Sequence, residues 1–388
     1  MAYTTIDDPS KHMQVLTYRG DSTSTTTADR TLTNDGNSNL QPDLVWIFNR
    51  DSVANSSQRL WDSTRGVGQN KGLTSSGSNA EGGPNDPEFG YVNTLHSDGF
   101  GVRQGTAASN TRLTTDRGEG GGDKYAAFQW KANGGTTTSV SASGSGASRV
   151  AASNYQADTT SKFSICSYTG TSDDAAATIT HGLGVTPEFI LVKRRSNSDD
   201  WTVYHQYQNL ANPQNYILEL NQTGAAADND RFNDTAPTST VFSVNASSST
   251  VNASGETYIA YCFTSVQGYS KFGRFEGNGS TNGTYVVTGF KPAWVMVKNV
   301  ESTESWVIFN DEMPGYNQVG QKLAANLVDD QIPSGVGGPG YNDIDIYSNG
   351  FKLRTANGAT NENDADFVYA AFAKEPLVSS GGVPATAV

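Results

Sequence analysis

An all-β fold of three tandem antiparallel β-sandwich modules, jelly-roll-like in strand count and spacing, is what this 388-residue sequence predicts. Two observations carry the prediction. A proline-led apolar stretch occurs three times, and around each copy the same landmarks recur in the same order.

The three copies of the stretch are Gln41-Pro42-Asp43-Leu44-Val45-Trp46-Ile47-Phe48, Thr186-Pro187-Glu188-Phe189-Ile190-Leu191-Val192-Lys193 and Lys291-Pro292-Ala293-Trp294-Val295-Met296-Val297-Lys298. Proline has no amide hydrogen for a ladder, so it marks the start of a strand, and the β-branched, aromatic and aliphatic residues after it form the body. The run is too short for a buried helix. Apolar side chains at consecutive positions point to both faces of a sheet, so each stretch is expected to be an inner strand covered on both sides.

The first module, residues 15–133, opens with Val15-Leu16-Thr17-Tyr18-Arg19-Gly20. After its core strand come Arg59-Leu60-Trp61-Asp62, Ser97-Asp98-Gly99-Phe100 and a closing Tyr125-Ala126-Ala127-Phe128-Gln129-Trp130. The second, residues 161–268, repeats the order with Ser167-Tyr168-Thr169-Gly170, Trp201-Thr202-Val203-Tyr204-His205, Ser239-Thr240-Val241-Phe242 and Tyr258-Ile259-Ala260-Tyr261-Cys262-Phe263. The third, residues 269–377, does so with Arg274-Phe275-Glu276-Gly277, Trp306-Val307-Ile308-Phe309-Asn310, Asn349-Gly350-Phe351-Lys352-Leu353 and Phe367-Val368-Tyr369-Ala370-Ala371-Phe372. Six or seven short strands per module, separated by Gly, Asn, Asp, Ser and Pro, suit a sandwich. The Trp residues fall inside these landmarks, so core packing is expected of them rather than sugar stacking.

Residues 1–14 are polar and read as an N-terminal arm. The Ser/Gly/Thr-rich linker 134–160 has the composition of a flexible tether, whereas the second and third modules are joined only by Thr264 to Ser270. The expectation is a rigid pair preceded by a separately hinged first module, with a flexible tail over 378–388. Two irregular loops, Ser75 to Glu88 and Gly335 to Tyr341, are the first places to look for binding. The candidate partner-binding residues are therefore Tyr3, Ile6 and Pro9 in the arm, Pro84, Pro87 and Tyr91 at the first loop, and Pro339 and Tyr341 in the second.

Composition narrows the functions. With 39 Asp+Glu against 26 Lys+Arg the net charge is −13, which phosphate backbones repel, so no nucleic-acid partner is expected. The densest basic run, Lys193-Arg194-Arg195, reads as a solvated strand end. No stretch approaches the roughly 18 apolar residues of a membrane span, and the N-terminus lacks the basic start and apolar core of an export signal, so membrane insertion is not expected either. Cys166 and Cys262 lie in strand-like runs of one module, as buried thiols or as one intra-module bridge.

Catalytic motifs are sparse. The four histidines, at 12, 96, 181 and 205, form no HExxH pair, and there is no GxSxG elbow or phosphate-binding loop. His181 reads as a hydrogen-bonding surface group in a turn. The carboxylate pairs Asp199-Asp200, Asp228/Asp230, Asp329-Asp330 and Asp343/Asp345 sit in turn-rich stretches, as solvated loops do. Asp228-Asn229-Asp230 begins like a calcium loop but has Asn233 where that loop needs Gly and Ser239 where it needs Glu. No cofactor is expected; loop calcium of irregular geometry is the alternative.

Several stretches resemble a family of repeat-bearing structural proteins encoded by tailed bacteriophages of marine bacteria and cyanobacteria. They include Tyr3-Thr4-Thr5-Ile6-Asp7-Asp8-Pro9-Ser10, Gln41 to Ile47, His181 to Ile190, Asn252 to Ala260 and Ser348 to Arg354. The resemblance implies a non-enzymatic virion surface protein, a tail-fibre-like appendage or head decoration, made in the host cytoplasm. It would attach to other virion proteins through the arm and, because virion positions repeat, form a homo-oligomer. The alternative is an adhesin for a host surface glycan, with glycan hydrolysis as a remoter variant. The family supplies no catalytic residues to carry over.

Overall fold

The computed structural model describes residues 3–20, 29–51, 57–83, 86–104, 115–116, 122–146, 149–171, 176–246, 248–313, 317, 319, 321–328, 332–333 and 343–384. The fold is all-β, built from antiparallel sheets in three sandwich modules.

Each module has one large sheet in the same strand order. In the first it runs Met13–Arg19, Lys124–Trp130, Leu44–Asn49, Arg59–Asp62, Leu73–Thr74. In the second it runs Phe163–Thr169, Thr257–Phe263, Phe189–Arg194, Thr202–His205, Tyr216–Glu219, Ala227–Asp228, and in the third Ser270–Glu276, Asp366–Pro376, Phe290–Asn299, Val307–Asn310, Gln321–Ala324, Ile332–Pro333. The registers agree as well: Leu44 lies opposite Trp130, Phe189 opposite Phe263 and Trp294 opposite Phe372. Each proline-led stretch is thus an inner strand between the module's closing strand and its fourth.

A smaller sheet covers one face of each large sheet. It comprises Asp29–Leu32, Phe100–Arg103 and Tyr91–Leu95 in the first module, Ala177–Thr180 and Val241–Val244 in the second, and Tyr285–Val287, Gly350–Leu353 and Ile344–Tyr347 in the third. Val45 and Ile47, Ile190 and Val192, and Val295 and Val297 point into these three outer cores.

The opposite face explains why the core strands are apolar at every position. Leu44, Trp46 and Phe48, Phe189 and Leu191, and Trp294 and Met296 all enter one central core shared by the three modules. At its middle Trp130, Phe263 and Phe372 form a triangle, with ring centroids 6.3, 5.6 and 5.8 Å apart. Aromatic rings at such separations, largely edge to face, add to the stabilisation from their burial. The gap left at the axis is only about 20 Å3 and its lining is apolar, so it offers a water no partners.

This shared core overturns the separately hinged first module. The linker is not a tether: Thr138–Val140 and Ser153–Asp158 add two strands to the edge of the second module's large sheet. Small hydroxylated side chains suit an edge whose outer face is solvated, and composition alone does not separate that case from a flexible coil. Gln156 binds the segment back to the first module, accepting from the Asn133 and Gly135 amides (3.2 and 3.0 Å) and donating to Ser63 and Thr64 (2.7 and 2.6 Å).

The arm is folded onto the body as well. Ile6 is 3 % exposed and belongs to the central core, the Tyr3 hydroxyl donates to Gly289 O (2.6 Å), and Thr4 donates to Gln267 O (2.8 Å). Asp8 caps a turn of 3-10 helix at Pro9–Lys11. In the tail, Ser380 donates to Asp7, and Val378 bridges Pro384.

Candidate binding surfaces and the seams between modules

Where modules meet, equivalent positions do equivalent work. Gln58, Trp201 and Trp306 precede the fourth strand of their respective sheets. The Trp201 indole donates to Thr74 O of the first module (2.8 Å), the Trp306 indole to Glu219 O of the second (2.9 Å), and the Gln58 amide to Leu327 O of the third (3.4 Å). Second on first, third on second and first on third make a closed ring with pseudo-threefold symmetry.

Two seams contain a buried lysine at the end of the core strand. Lys193 donates to Ser78 O of the first module (3.1 Å) and to Asp199 and Arg194 carbonyls of its own (both 2.9 Å). Lys298 repeats this with Thr223 O of the second module (3.0 Å) and its own Glu304 O (2.9 Å). Both residues are fully buried, and desolvation pushes each ammonium down to about 8. In the closing seam the same position is Phe48, an apolar member of the central core. The basic run expected to be solvated is therefore a joint. Carbonyl capping of the ammonium is what lets a charge sit there.

The first seam has an ionic network besides. Glu81 accepts from Arg195 of the second module (2.8 Å) and from Arg65 of its own (2.9 Å); Arg65 also holds Asp62 (2.5 Å), which receives the Tyr261 hydroxyl across the seam (2.6 Å). His205, at the position equivalent to Asp62, lies 3.2 Å from Tyr369 O of the third module, and burial pushes it down to about 4. Asn310 is the third equivalent, and among the described residues its side-chain amide nitrogen has no partner. Beside it, burial pushes the Asp311 carboxyl up to about 7, near Lys374 (3.5 Å).

The expected binding residues are dispersed. Ile6 and Pro9 are buried and Tyr3 is half-buried, so the described arm is not a projecting peptide. The first loop is only partly open: Ser75 is buried and Ser78 and Glu81 belong to the seam, while Pro87 lies in a helical turn, Asp86–Phe89, and Tyr91 begins a strand, half-buried. Pro84, Pro339 and Tyr341 lie outside the described residues, as does the Asp329-Asp330 pair. Lys193, Lys298, Asp62 and Arg65, which build the seams, lie outside the expected set. The available signal was a lysine ending the core stretch in two copies of three.

His181 and the carboxylates of Asp199, Asp200, Asp343 and Asp345 have structural partners. His181 is fully buried rather than at the surface, with Nε2 3.1 Å from Thr238 O and Nδ1 accepting from the Leu183 amide. Asp199 accepts from Thr250, Asp200 from Asn221, Asp343 pairs with Lys322 and Asp345 with Arg354. Asn229 caps the 3-10 turn Asp230–Phe232, and among the described residues no three His, Cys, Asp or Glu cluster as metal ligands would. Cys166 and Cys262 are free buried thiols. No described helix is long and apolar enough to cross a membrane.

Depressions mark the described surface. One of ≈ 430 Å3 is lined by Ser139, Asn154, Ser167, Thr169, Arg195 and Thr257, and one of ≈ 350 Å3 by Leu210, Tyr216, Arg274 and Asp366. Another, ≈ 140 Å3, lies in the closing seam among Gln14, Asp35, Asp311 and Lys374.

The chain belongs to the family described as Domain of unknown function (DUF7483), whose model matches residues 8–376. Neither the curated proteins nor the solved structures contain a match to it.

Proposed function

We propose that the protein is a non-enzymatic structural component of a bacteriophage particle, a tail-fibre-like appendage or head decoration at the virion surface. The resemblance of its repeats to structural proteins of tailed phages suggests the setting. The observation that carries the reading is where the buried polar groups go. Lys193, Lys298, Asp62, Arg65 and His205, the kind of burial that elsewhere marks catalysis, all bond from one module to the next or to residues that do. That is the construction of a rigid block. Three modules around one axis already give such a block within one chain, and attachment to other virion proteins is assigned to its outer faces rather than to the folded arm.

Antibody labelling of purified particles, imaged by electron microscopy, tests this. Label at fixed positions on the particle surface is the expected result, and absence of the protein from purified particles by mass spectrometry sinks the proposal.

A second reading, adhesion to a host surface glycan, is favoured by the ≈ 430 Å3 depression, whose serine and threonine hydroxyls, asparagine and arginine suit sugar hydroxyls. Reproducible binding on a glycan array, lost in Asn154→Ala, would select it.

A further inference from the structure

The three small sheets treat their outer edge strands in three ways. In the second module the chain covers the edge itself. The outward-facing Thr178 amide donates to Arg149 O (2.9 Å) and the Thr178 carbonyl accepts from the Ala151 amide (3.0 Å), so Arg149, Val150 and Ala151 lie alongside as a parallel strand. In the first module the edge strand Asp29–Leu32 carries charge: Asp29 pairs with Arg103 (2.6 Å) and Arg30 with Asp116 (2.6 Å). Charged side chains are a standard guard of an open edge.

Among the described residues the third module has neither device. Ile179 lies opposite Phe242 and Val286 opposite Phe351, so Tyr285 occupies the place of Thr178. Leu353 donates to Thr284 O and Thr288 donates to Asn349 O, which turns the backbone of residues 284, 286 and 288 inward and that of Tyr285 and Val287 outward. Among the described residues nothing pairs with those outward groups. The side chains alternate likewise: Val286 is buried, whereas Tyr285 is 40 % and Val287 60 % exposed. Tyr285 packs edge to face on Tyr347 with centroids 5.5 Å apart and donates to Asn349, so its ring is held beside the edge.

We propose that the edge Tyr285–Val287 is a strand-docking site for an extended segment of a partner polypeptide. The segment runs parallel to the edge and is rich in small residues with one aliphatic side chain, as Arg149-Val150-Ala151 is on Thr178. Main-chain hydrogen bonds to Tyr285 and Val287 supply affinity, and the Tyr285 ring and Val287 receive the aliphatic residue. The second module supplies the argument for this occupant, since it shows the same edge, in the same fold, accepting such a segment. The inference goes beyond the proposed function and does not rest on it, because a strand docks here whatever assembly the protein serves.

The test uses the full chain and a fluorescent synthetic peptide with the sequence of residues 143–152. Anisotropy is expected to show saturable binding, weakened at least tenfold by Val287→Pro, which removes an outward amide, and by Val287→Lys, which guards the edge without altering the backbone. Thr33→Lys, the equivalent change on the first module's edge, is expected to leave binding unchanged. Absence of saturable binding at millimolar peptide overturns the proposal. So does binding that survives both Val287 variants, which would place the peptide elsewhere, for instance in exchange for the segment on Thr178. If Val287→Pro does not fold, Val287→Lys decides.

Discussion

Two seams of the ring are nearly the same and the third is not. Between first and second modules, and again between second and third, a lysine and a tryptophan reach across to main-chain carbonyls. In the closing seam their places are taken by Phe48 and Gln58, with Ser75 donating to Ala325 O (2.9 Å) and Arg50 to Gln321 (3.0 Å). Fold symmetry therefore does not require chemical symmetry. A buried ammonium must find several oxygens at once, and here carbonyls of its own module and one from the next supply them together; an apolar side chain at the same place asks for volume alone.

The largest effect on this comparison is expected from the part all seams share. Trp294→Ala opens a cavity where the modules meet and should cost ~3–5 kcal/mol. Unfolding should stay a single transition, with faster hydrogen exchange in all three modules; a separate early transition of the third module would break the picture of one core. Next, Lys193→Met and Lys298→Met should each cost ~1–3 kcal/mol by leaving carbonyls unpaired, measured by chemical denaturation. Phe48→Lys, which brings an ammonium into the central core, should cost more than either.

Smaller effects come from pH and separate the seams. The lysines hold their protons less tightly folded than unfolded, so from about pH 8 to 10.5 the unfolded chain binds more protons and their contribution to stability rises with pH. This rise should be missing from the double Met variant when Tm is compared with wild type. His205, lowered by burial to about 4, gives the second–third seam a loss of stability as pH falls from 6.5 to 4. Asp311, raised by burial to about 7, gives the closing seam the opposite slope: its contribution is full below about 3.8 and lost as pH rises through 7. His205→Asn should flatten the acid loss and Asp311→Asn the loss toward neutrality, by Tm at pH 4.5, 6 and 7.5; indifference of either profile to its variant would remove that group from its seam.

The proline-led strand and its neighbours were legible because strand chemistry is local. Proline marks the start, and apolar positions mark both faces. The same double-faced pattern held the evidence for the central core, since a two-sheet module needs apolar residues on one face of each sheet only. What stayed hidden depended on contacts between distant segments. Lys193 looked like a solvated end because its carbonyl partner, Ser78, lies 115 positions away. The linker looked loose because small polar residues serve an edge strand as readily as a coil, and its ties to the first module run through the Gly134 amide on Asp43 and the buried Gln156. Trp61 and Trp201 looked equivalent by landmark, yet their registers put Trp61 in the first outer core and Trp201 in the central one, reaching the seam.

At the axis, Leu44 faces Trp130, Phe189 faces Phe263 and Trp294 faces Phe372. Each copy contributes a different volume, and the sum fills the space that no copy would fill by itself. Three identical subunits would have to set one residue type there three times over, with three tryptophans crowding or three leucines leaving a void. Having diverged in this way, the repeats are no longer interchangeable parts, and no single one of them is suited to rebuild the whole by self-association.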